Sequence, residues 1–312
     1  MKGMLKFIKH VAGDLTEEMD KKAKEGEEFE LKDVFGKFSL DALASSAFGV
    51  NGESFKDKDS VFVKNAAAIF KNSTLENIIA SIKFIPGVPQ VCEFFKINSF
   101  KPKATKFFRD IIQQTIRTRK DGKERKNDLV DLMLECMKDD TPTDADEEPT
   151  DQYEKDMKLT DHKKSKQKLD ELTVVATALV LLVAGYDTTG MTLSYLAYEM
   201  SKNPEIQKKL QEEIDEAFEE SGGELPDYNV IQSLPYLDMV IHETLRFHSP
   251  VGANTRVATK DYVLPGTDIV LKKEDMISFN AQGLHFDPEH WTNPTEFDPE
   301  HFSKESKATR NP

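Results

Sequence analysis

Residues 184–190 read AGYDTTG and lie in the middle of the most apolar part of the chain. The stretch LTVVATALVLLV (Leu172–Val183) precedes them, and the uncharged stretch MTLSYLAY (Met191–Tyr198) follows. This pattern predicts a helix from about Leu169 to Lys202, which at 1.5 Å per residue would span roughly 50 Å. Glycine, aspartate and threonine are poor helix formers or poor core residues, so their place at its centre needs a reason.

Two structural interpretations fit this apolar stretch. Leu172–Tyr198 carries a single charge, on Asp187, and a bilayer core needs about 20 apolar residues, so the helix could cross a membrane. Asp187 would then lie near the middle of the bilayer at a cost of roughly 2.5–3.5 kcal/mol. The alternative is a core helix whose polar residues face another helix. The sequence alone leaves both interpretations open.

The chemistry of AGYDTTG suggests a site on that helix. Gly185 has no Cβ, so a large flat ligand could approach the backbone there. The hydroxyl of Thr188 can donate to the carbonyl of Ala184 one turn back, which would loosen the helix. Asp187 places a proton-accepting group beside that hydroxyl. The pair therefore suits proton transfer to something bound over Gly185.

A second polar feature interrupts an apolar helix face at HETLR (His242–Arg246). Glu243 and Arg246 are spaced i, i+3 and so share one face of a helix predicted over residues 235–248. That face also carries Met239, Val240 and Phe247. If the pair is buried, removing one partner costs about 3–5 kcal/mol. If it is an ordinary surface pair, it contributes less than about 1 kcal/mol.

Composition and periodicity predict a mainly α-helical protein with a small β region near its C-terminus. The chain has 312 residues and a net charge of −14. Its local lysine cluster is flanked by acids, so a nucleic-acid partner is not expected. Amphipathic helices are predicted over 31–50, 61–70, 102–120 and 128–137. Short strands are predicted over 255–258, 262–264, 269–271 and 276–279.

Three other features are read from composition. Cys92 and Cys136 form no disulfide framework or metal-ligand spacing. Lys6 and Lys9 interrupt any signal-peptide core, so no targeting or anchor segment is expected in this chain. The aromatic segment Ile78–Phe100 is either a packed loop or a hydrophobic lid that covers a pocket or touches a membrane. The acidic segment 138–161 is predicted to be an exposed loop.

The order of the motifs along the chain resembles that of the cytochrome P450 haem-thiolate monooxygenases, most of all the animal microsomal group. The motifs are AGYDTT, an amphipathic helix that begins with proline, ETLR, a strand region and FDPEHF. The resemblance covers nearly the whole chain, so one partial domain of that fold is expected over residues 1–312. Its parts would be helices (1–137), the acidic loop (138–161), the long distal helix (169–202), the E-x-x-R helix (235–248), strands (255–279) and the approach to the meander (284–312).

The resemblance implies a role for each matching residue. Ala184 and Gly185 would lie against haem b, and Asp187 and Thr188 would be the catalytic residues that supply protons to oxygen activated there. Glu243 and Arg246 would form the pair that locks the fold around the haem. Arg256 would pair with a haem propionate. The implied reaction inserts one oxygen atom from O2 into an apolar small molecule, such as a xenobiotic, a steroid or a fatty-acid-like compound.

The same resemblance implies an NADPH-dependent P450 reductase as electron donor, cytochrome b5 as a further partner, and a full-length parent on the cytosolic face of the endoplasmic reticulum membrane.

The sequence departs from the family pattern at two places. His301 replaces the arginine that would join Glu243 and Arg246, so this triad is expected to be weakened. The family's cysteine ligand falls downstream of Pro312, so the chain is expected to be an internal fragment that is inactive alone and holds no metal ligand. The alternative is a non-catalytic helical binding or scaffold protein derived from the same fold.

Overall fold

The computed structural model describes residues 4–26, 28–57, 60–70, 101–120, 126, 128–137 and 170–309. The aromatic segment 78–100 and the acidic loop 138–161 lie outside these residues, as does Cys92. The expectations for these three features therefore stay predictions.

Most of the described residues form helices. In chain order these are α1 (Leu5–Glu25), α2 (Leu31–Phe48), α3 (Val61–Phe70), α4 (Pro102–Lys120), α5 (Leu129–Cys136), α6 (Glu171–Lys202), α7 (Pro204–Glu220), α8 (Tyr228–Gln232), α9 (Pro235–Phe247), α10 (Ala281–His285) and α11 (Lys304–Thr309), with a 3₁₀ helix over Pro299–Phe302. This helical class matches the fold predicted from the sequence.

The long apolar helix α6 runs unbroken for 32 residues. It begins where Asp170 caps it, because the Asp170 carboxylate accepts a hydrogen bond of 2.7 Å from the backbone N–H of Thr173. It ends at Lys202, and Pro204 then occupies the first turn of α7. The side chain of Asn203 does not cap α7, because its amide donates back to the Glu199 carbonyl at 2.9 Å.

One face of α6 belongs to the main hydrophobic core. That core lies between α2, α3, α4, α5 and α6, and α2 packs along α6 over much of its length. Its buried members include Leu40, Phe48, Ile69, Phe108, Ile116, Val130, Val174, Val175, Ala178 and Leu182. Among the described residues, α6 is the one helix long and apolar enough to cross a membrane. Its contacts with five other helices, α2, α3, α4, α7 and α9, agree with the core-helix interpretation.

A second, smaller core joins α6 to α7 and α9 through Met200, Leu210, Tyr236 and Val240. The same junction fixes where α9 begins. Pro235 starts the helix, and the Glu213 carboxylate of α7 accepts hydrogen bonds of 2.8 Å from the N–H groups of Tyr236 and Leu237. An acid at this position also suits the positive end of the α9 dipole. The E-x-x-R helix is thus held at its N-terminus by a neighbouring helix.

The predicted β region consists of two antiparallel pairs. Strand β1 (Ala253–Val257) pairs with β4 (Met276–Asn280), and β2 (Tyr262–Val263) pairs with β3 (Val270–Leu271). All four strands lie within two residues of their predicted bounds. The stretch after β4 contains α10, the 3₁₀ helix and α11.

Candidate functional site

The hydroxyl of Thr188 makes the bond that the sequence predicts. Its Oγ1 donates to the carbonyl oxygen of Ala184 at 2.6 Å. Thr192 and Ser194 make the same kind of bond to Thr188 and Gly190, at 2.9 and 2.6 Å. These bonds satisfy the hydroxyls within the helix, so α6 stays continuous and does not open at AGYDTTG.

The glycines of the motif serve helix packing, which corrects the sequence interpretation of Gly185. A Cβ at Gly185 would lie 2.7 Å from Cδ1 of Leu43 in α2, so the space over this glycine is filled by protein. A Cβ at Gly190 would lie 3.2 Å from the Cα of Gly36, also in α2. Both glycines therefore let α2 approach α6 closely, and the expectation of open space for a flat ligand over Gly185 is wrong.

The opposite face of α6 is an apolar stripe exposed along most of its length. Val180 is 63% exposed and Leu172 72%. We call this surface the α6 stripe; it consists of Leu172, Ala176, Thr177, Val180, Leu181, Ala184, Thr188 and Tyr195. Ala184 presents the smallest side chain near its centre, with the Thr188 hydroxyl one turn further along. Of the residues predicted for the site, Ala184 and Thr188 therefore share one face, whereas Gly185 lies on the other.

Asp187 points toward α2. Its Oδ1 lies 2.9 Å from Nζ of Lys32, near the start of that helix. The Asp187 side chain is 24% exposed and that of Lys32 is 55% exposed. The carboxylate is therefore paired at the edge of the protein, next to the residue whose hydroxyl lies on the α6 stripe.

Glu243 and Arg246 form a fully buried, two-bond ion pair. Arg246 donates from Nε and Nη2 to the two carboxylate oxygens of Glu243, both at 2.7 Å. The guanidinium also donates to three backbone carbonyls beyond the β region, those of His285, Pro294 and Glu296, at 2.7, 2.8 and 3.0 Å. The surface-pair interpretation is excluded, and Arg246 fastens the segment 285–296 to α9.

His301 joins this pair, as the sequence predicts. Its Nδ1 lies 3.1 Å from Oε1 of Glu243, and its Nε2 lies 2.6 Å from the carbonyl oxygen of Thr292. Both partners are hydrogen-bond acceptors, so the ring lies where either of its nitrogens can donate. The N–H of Asp298 adds a further bond of 2.8 Å to Glu243. The shorter side chain thus reaches two acceptors.

Arg246 is buried among aromatic rings. The guanidinium lies 5.0–5.4 Å from the ring centres of Phe247, Phe286 and Trp291. His285 donates from Nδ1 to the Arg246 carbonyl at 3.0 Å, if that nitrogen carries the proton. Burial and the nearby Arg246 charge lower the pKa of His285 below 6.5, although the bond to the Arg246 carbonyl opposes the shift. A neutral imidazole is therefore favoured beside the buried cation.

Arg256 lies in β1, apart from the Glu243–Arg246 pair of α9. Its Nη1 donates to the carbonyl of its neighbour Thr255 at 2.9 Å, and the residue is exposed. The structure therefore leaves a cationic side chain at the surface of the β1–β4 pair. It shows no direct contact between Arg256 and the residues of the α6 stripe.

Sequence reasoning missed several buried polar clusters. Arg119 at the end of α4 donates to Asp128, which caps α5, to Asp131 within α5, and to the Phe48 carbonyl at 2.9 Å. Asp41 of α2 accepts from the N–H and hydroxyl of Ser54, at 2.7 and 2.5 Å. The helix-capping position of Asp128 before an apolar run was a readable signal. Its arginine partner was not, because the two side chains meet only through tertiary packing.

A third missed cluster joins the ends of α6 and α9. Glu199 is 1% exposed and accepts from Nε2 of His248 at 2.7 Å. The His248 ring stacks on Tyr195, with ring centres 4.1 Å apart and planes inclined by 2°. Nothing in the described residues groups three or more His, Cys, Asp or Glu side chains as a metal site. Cys136 is exposed at the end of α5.

Comparison with known proteins shows the family to which the chain is similar. The cytochrome P450 family model matches residues 1–312. The chain is 33% identical to cytochrome P450 3A6 of Oryctolagus cuniculus and 34% identical to cytochrome P450 3A12 of Canis lupus familiaris. It is 32% identical to cytochrome P450 3A16 of Mus musculus.

Each alignment covers the whole of this chain but only 57–58% of the relative's own length. The range matched by the family model and by these alignments includes the long helix, the buried Glu243–Arg246 pair and the strands. The chain therefore belongs to the cytochrome P450 family.

Proposed function

We propose that this chain is part of a haem-thiolate monooxygenase and that the haem lies over the α6 stripe at Ala184. The observation that carries the proposal is the Thr188–Ala184 bond at 2.6 Å, which fixes the Thr188 hydroxyl beside the small side chain of Ala184 on the mostly apolar α6 stripe.

The residues present fit such a group. Porphyrin is a flat, mostly apolar plane with two carboxylates on its edge. The α6 stripe offers an apolar surface with a small residue, Ala184, at its centre, and Arg256 offers an exposed cation for a carboxylate. Gly185 is left out of this assignment because Leu43 covers it. When bound, the haem would supply O2 activation and one-electron chemistry, which no side chain provides.

Thr188 and Asp187 would then have different roles in proton transfer. The single hydroxyl proton of Thr188 is already donated to Ala184, so its oxygen can only accept a hydrogen bond from a ligand or water on the stripe. Asp187 is the group that can carry a proton inward from the protein edge. Monooxygenation releases one oxygen atom of O2 as water, which consumes two protons and two electrons for each product molecule. A positioned acid next to an accepting hydroxyl meets that demand.

Glu243, Arg246 and His301 would act by holding the fold. They bind the backbone of residues 285–298 to α9 through buried charged groups. We propose that this fixes the region before the meander relative to α6 and so supports haem binding without touching substrate. The partners and location follow from the family: a reductase that uses NADPH, cytochrome b5, an apolar small-molecule substrate, and the endoplasmic reticulum membrane.

The deciding experiment is Thr188→Ala in the full-length holoprotein, with Thr189→Ala as the matched control. Thr189 is the neighbouring exposed threonine of the same helix. The measurement is the amount of product formed per NADPH consumed. Positioned proton transfer contributes roughly 10²–10⁴-fold, so we expect Thr188→Ala to lower this ratio by about ten-fold or more. Thr189→Ala should leave it near the wild-type value, and equal ratios in all three proteins would overturn the proposal.

A non-catalytic scaffold is the competing function. It predicts that the chain has no affinity for a porphyrin and that the α6 stripe contacts another protein. Titration with zinc protoporphyrin, which needs no thiolate ligand to be detected by fluorescence, separates the two functions. Saturable binding that Arg256→Ala weakens supports the haem protein, with Arg109→Ala as a control at an exposed arginine elsewhere. Absence of binding would favour the scaffold.

A further inference from the structure

Asn51 is the one asparagine of the chain that is followed by a glycine. Because glycine has no side chain, its backbone nitrogen can approach the side chain of the preceding residue with little steric hindrance. An asparagine in this position can lose its side-chain nitrogen as ammonia, by a reaction within the chain itself. The folded structure decides whether the two residues are free to react.

The fold leaves this dipeptide open to that reaction. Asn51 and Gly52 lie between α2 and α3 in a stretch with neither helix nor strand, and Asn51 is exposed. Within the described part of the chain, the Gly52 N–H donates no hydrogen bond, so none has to break before its nitrogen can react. The Nδ2 of Asn51 donates to Oε1 of Glu53 at 3.4 Å. The side-chain amide is thus directed forward along the chain, toward Gly52.

We propose that Asn51 is a site of spontaneous deamidation whose product loosens this loop from α2. The Gly52 nitrogen bonds to Cγ of Asn51, the bond from Cγ to Nδ2 breaks, and ammonia leaves with the proton of the Gly52 N–H. Water then opens the resulting cyclic imide. Opening at Cγ gives aspartate, and opening at the backbone carbonyl gives isoaspartate, whose main chain is one carbon longer. The two steps together consume one water and release one ammonia.

Gly52 lies directly against a buried carboxylate. A Cβ at Gly52 would lie 2.0 Å from Oδ1 of Asp41, so α2 leaves no free space beside this residue. Asp41 is 3% exposed, and it also accepts from the N–H and hydroxyl of the fully buried Ser54. An extra main-chain carbon before Gly52 must displace its neighbours, so isoaspartate at residue 51 should open the Asp41–Ser54 contact. Aspartate leaves the length of the main chain unchanged and should keep that contact.

The first test ages the full-length holoprotein in mildly alkaline buffer, which favours attack by the backbone nitrogen, and follows each asparagine by peptide mass spectrometry. Asn229 is the internal control, because it is exposed but is followed by the branched Val230. We expect Asn51 to convert at least about ten-fold faster than Asn229, which corresponds to about 1.4 kcal/mol in the barrier. An isoaspartyl methyltransferase should label the same peptide. Asn51→Gln should abolish both signals, because glutamine would have to close a larger ring.

Hydrogen exchange at the Ser54 N–H tests the structural effect. Exchange should quicken as isoaspartate accumulates in the aged wild type, and it should stay unchanged in aged Asn51→Gln and in freshly prepared Asn51→Asp. Conversion of Asn51 no faster than that of Asn229 would overturn the proposed site. Unchanged exchange at Ser54 in protein that carries isoaspartate at residue 51 would overturn the proposed effect on the loop.

Discussion

Gly190→Ala tests whether the glycines of AGYDTTG are there for helix packing. A Cβ at residue 190 would lie 3.2 Å from Cα and 3.3 Å from N of Gly36, and 3.4 Å from the carbonyl oxygen of Phe35. These are backbone atoms of α2, which cannot rotate away as a side chain can. The two helices must therefore move apart, and overpacking of this kind costs about 1–3 kcal/mol.

Helix propensity works in the opposite direction. Alanine is favoured over glycine inside a helix by about 1 kcal/mol, so the net change at Gly190 is a loss of about 0–2 kcal/mol in the free energy of unfolding. Gly13→Ala is the matched control, because Gly13 lies inside α1 with nothing within 4 Å of the added Cβ. The free energy of unfolding of Gly13→Ala should be about 1 kcal/mol higher than that of the wild type. Gly185→Ala should fall between the two, since its contact is the flexible end of Leu43.

Urea unfolding followed by far-ultraviolet circular dichroism measures all three variants. The packing account predicts that Gly190→Ala is less stable than Gly13→Ala by about 1–3 kcal/mol, which is the steric cost alone, because the gain in helix propensity is common to both variants. If Gly190→Ala stabilises the chain as much as Gly13→Ala does, the close approach of α2 and α6 is not real and the explanation of the glycines fails.

Three further predictions concern buried polar groups. Arg246→Met should lower the free energy of unfolding by about 3–5 kcal/mol because it removes the two-bond ion-pair partner of the buried Glu243, whereas Lys208→Met, at the exposed pair with Glu212, should change it by less than about 1 kcal/mol in the same urea titration. His301→Phe removes both hydrogen bonds of the ring and should cost about 1–3 kcal/mol; an unchanged midpoint would show that His301 does not complete the triad. Burial raises the pKa of Asp41 above 3.8 against the opposing bonds from Ser54, so its stabilising contribution is full below that pH and is lost as pH rises through the folded-state pKa. The stability of Asp41→Asn relative to wild type should therefore increase from about pH 4 to pH 7 in urea titrations, and a constant difference would contradict the shift.

The sequence could predict features that depend on local pattern. The bounds of α6 and α9, the four strands, the Thr188–Ala184 bond and the shared helix face of Glu243 and Arg246 follow from residue spacing within one or two turns. Burial of that pair could be favoured but not decided, because it depends on backbone carbonyls some forty to fifty residues later in the chain.

Features made by two distant elements could not be predicted. The sequence interpretation placed a ligand over Gly185, because a missing side chain does not show what fills the space beside it. Only the packing of α2 shows that Leu43 fills this space. Lys32 carried no signal, since a lysine at the start of a helix is ordinary until its partner is known. The Arg119 cluster and the His248–Glu199 pair were missed for the same reason.

The most direct test of the central claim is an NMR titration of this chain with zinc protoporphyrin, with ¹³C-methyl labels on alanine and threonine. A porphyrin ring shifts strongly upfield the methyl groups that lie over its face. The account predicts that the methyls of Ala184 and Thr188 shift most, with smaller effects at Ala176 and Thr177 on the same stripe, and none at Ala66 or Ala104 in the core. Saturable binding that shifts other methyls and leaves Ala184 and Thr188 unchanged would contradict it.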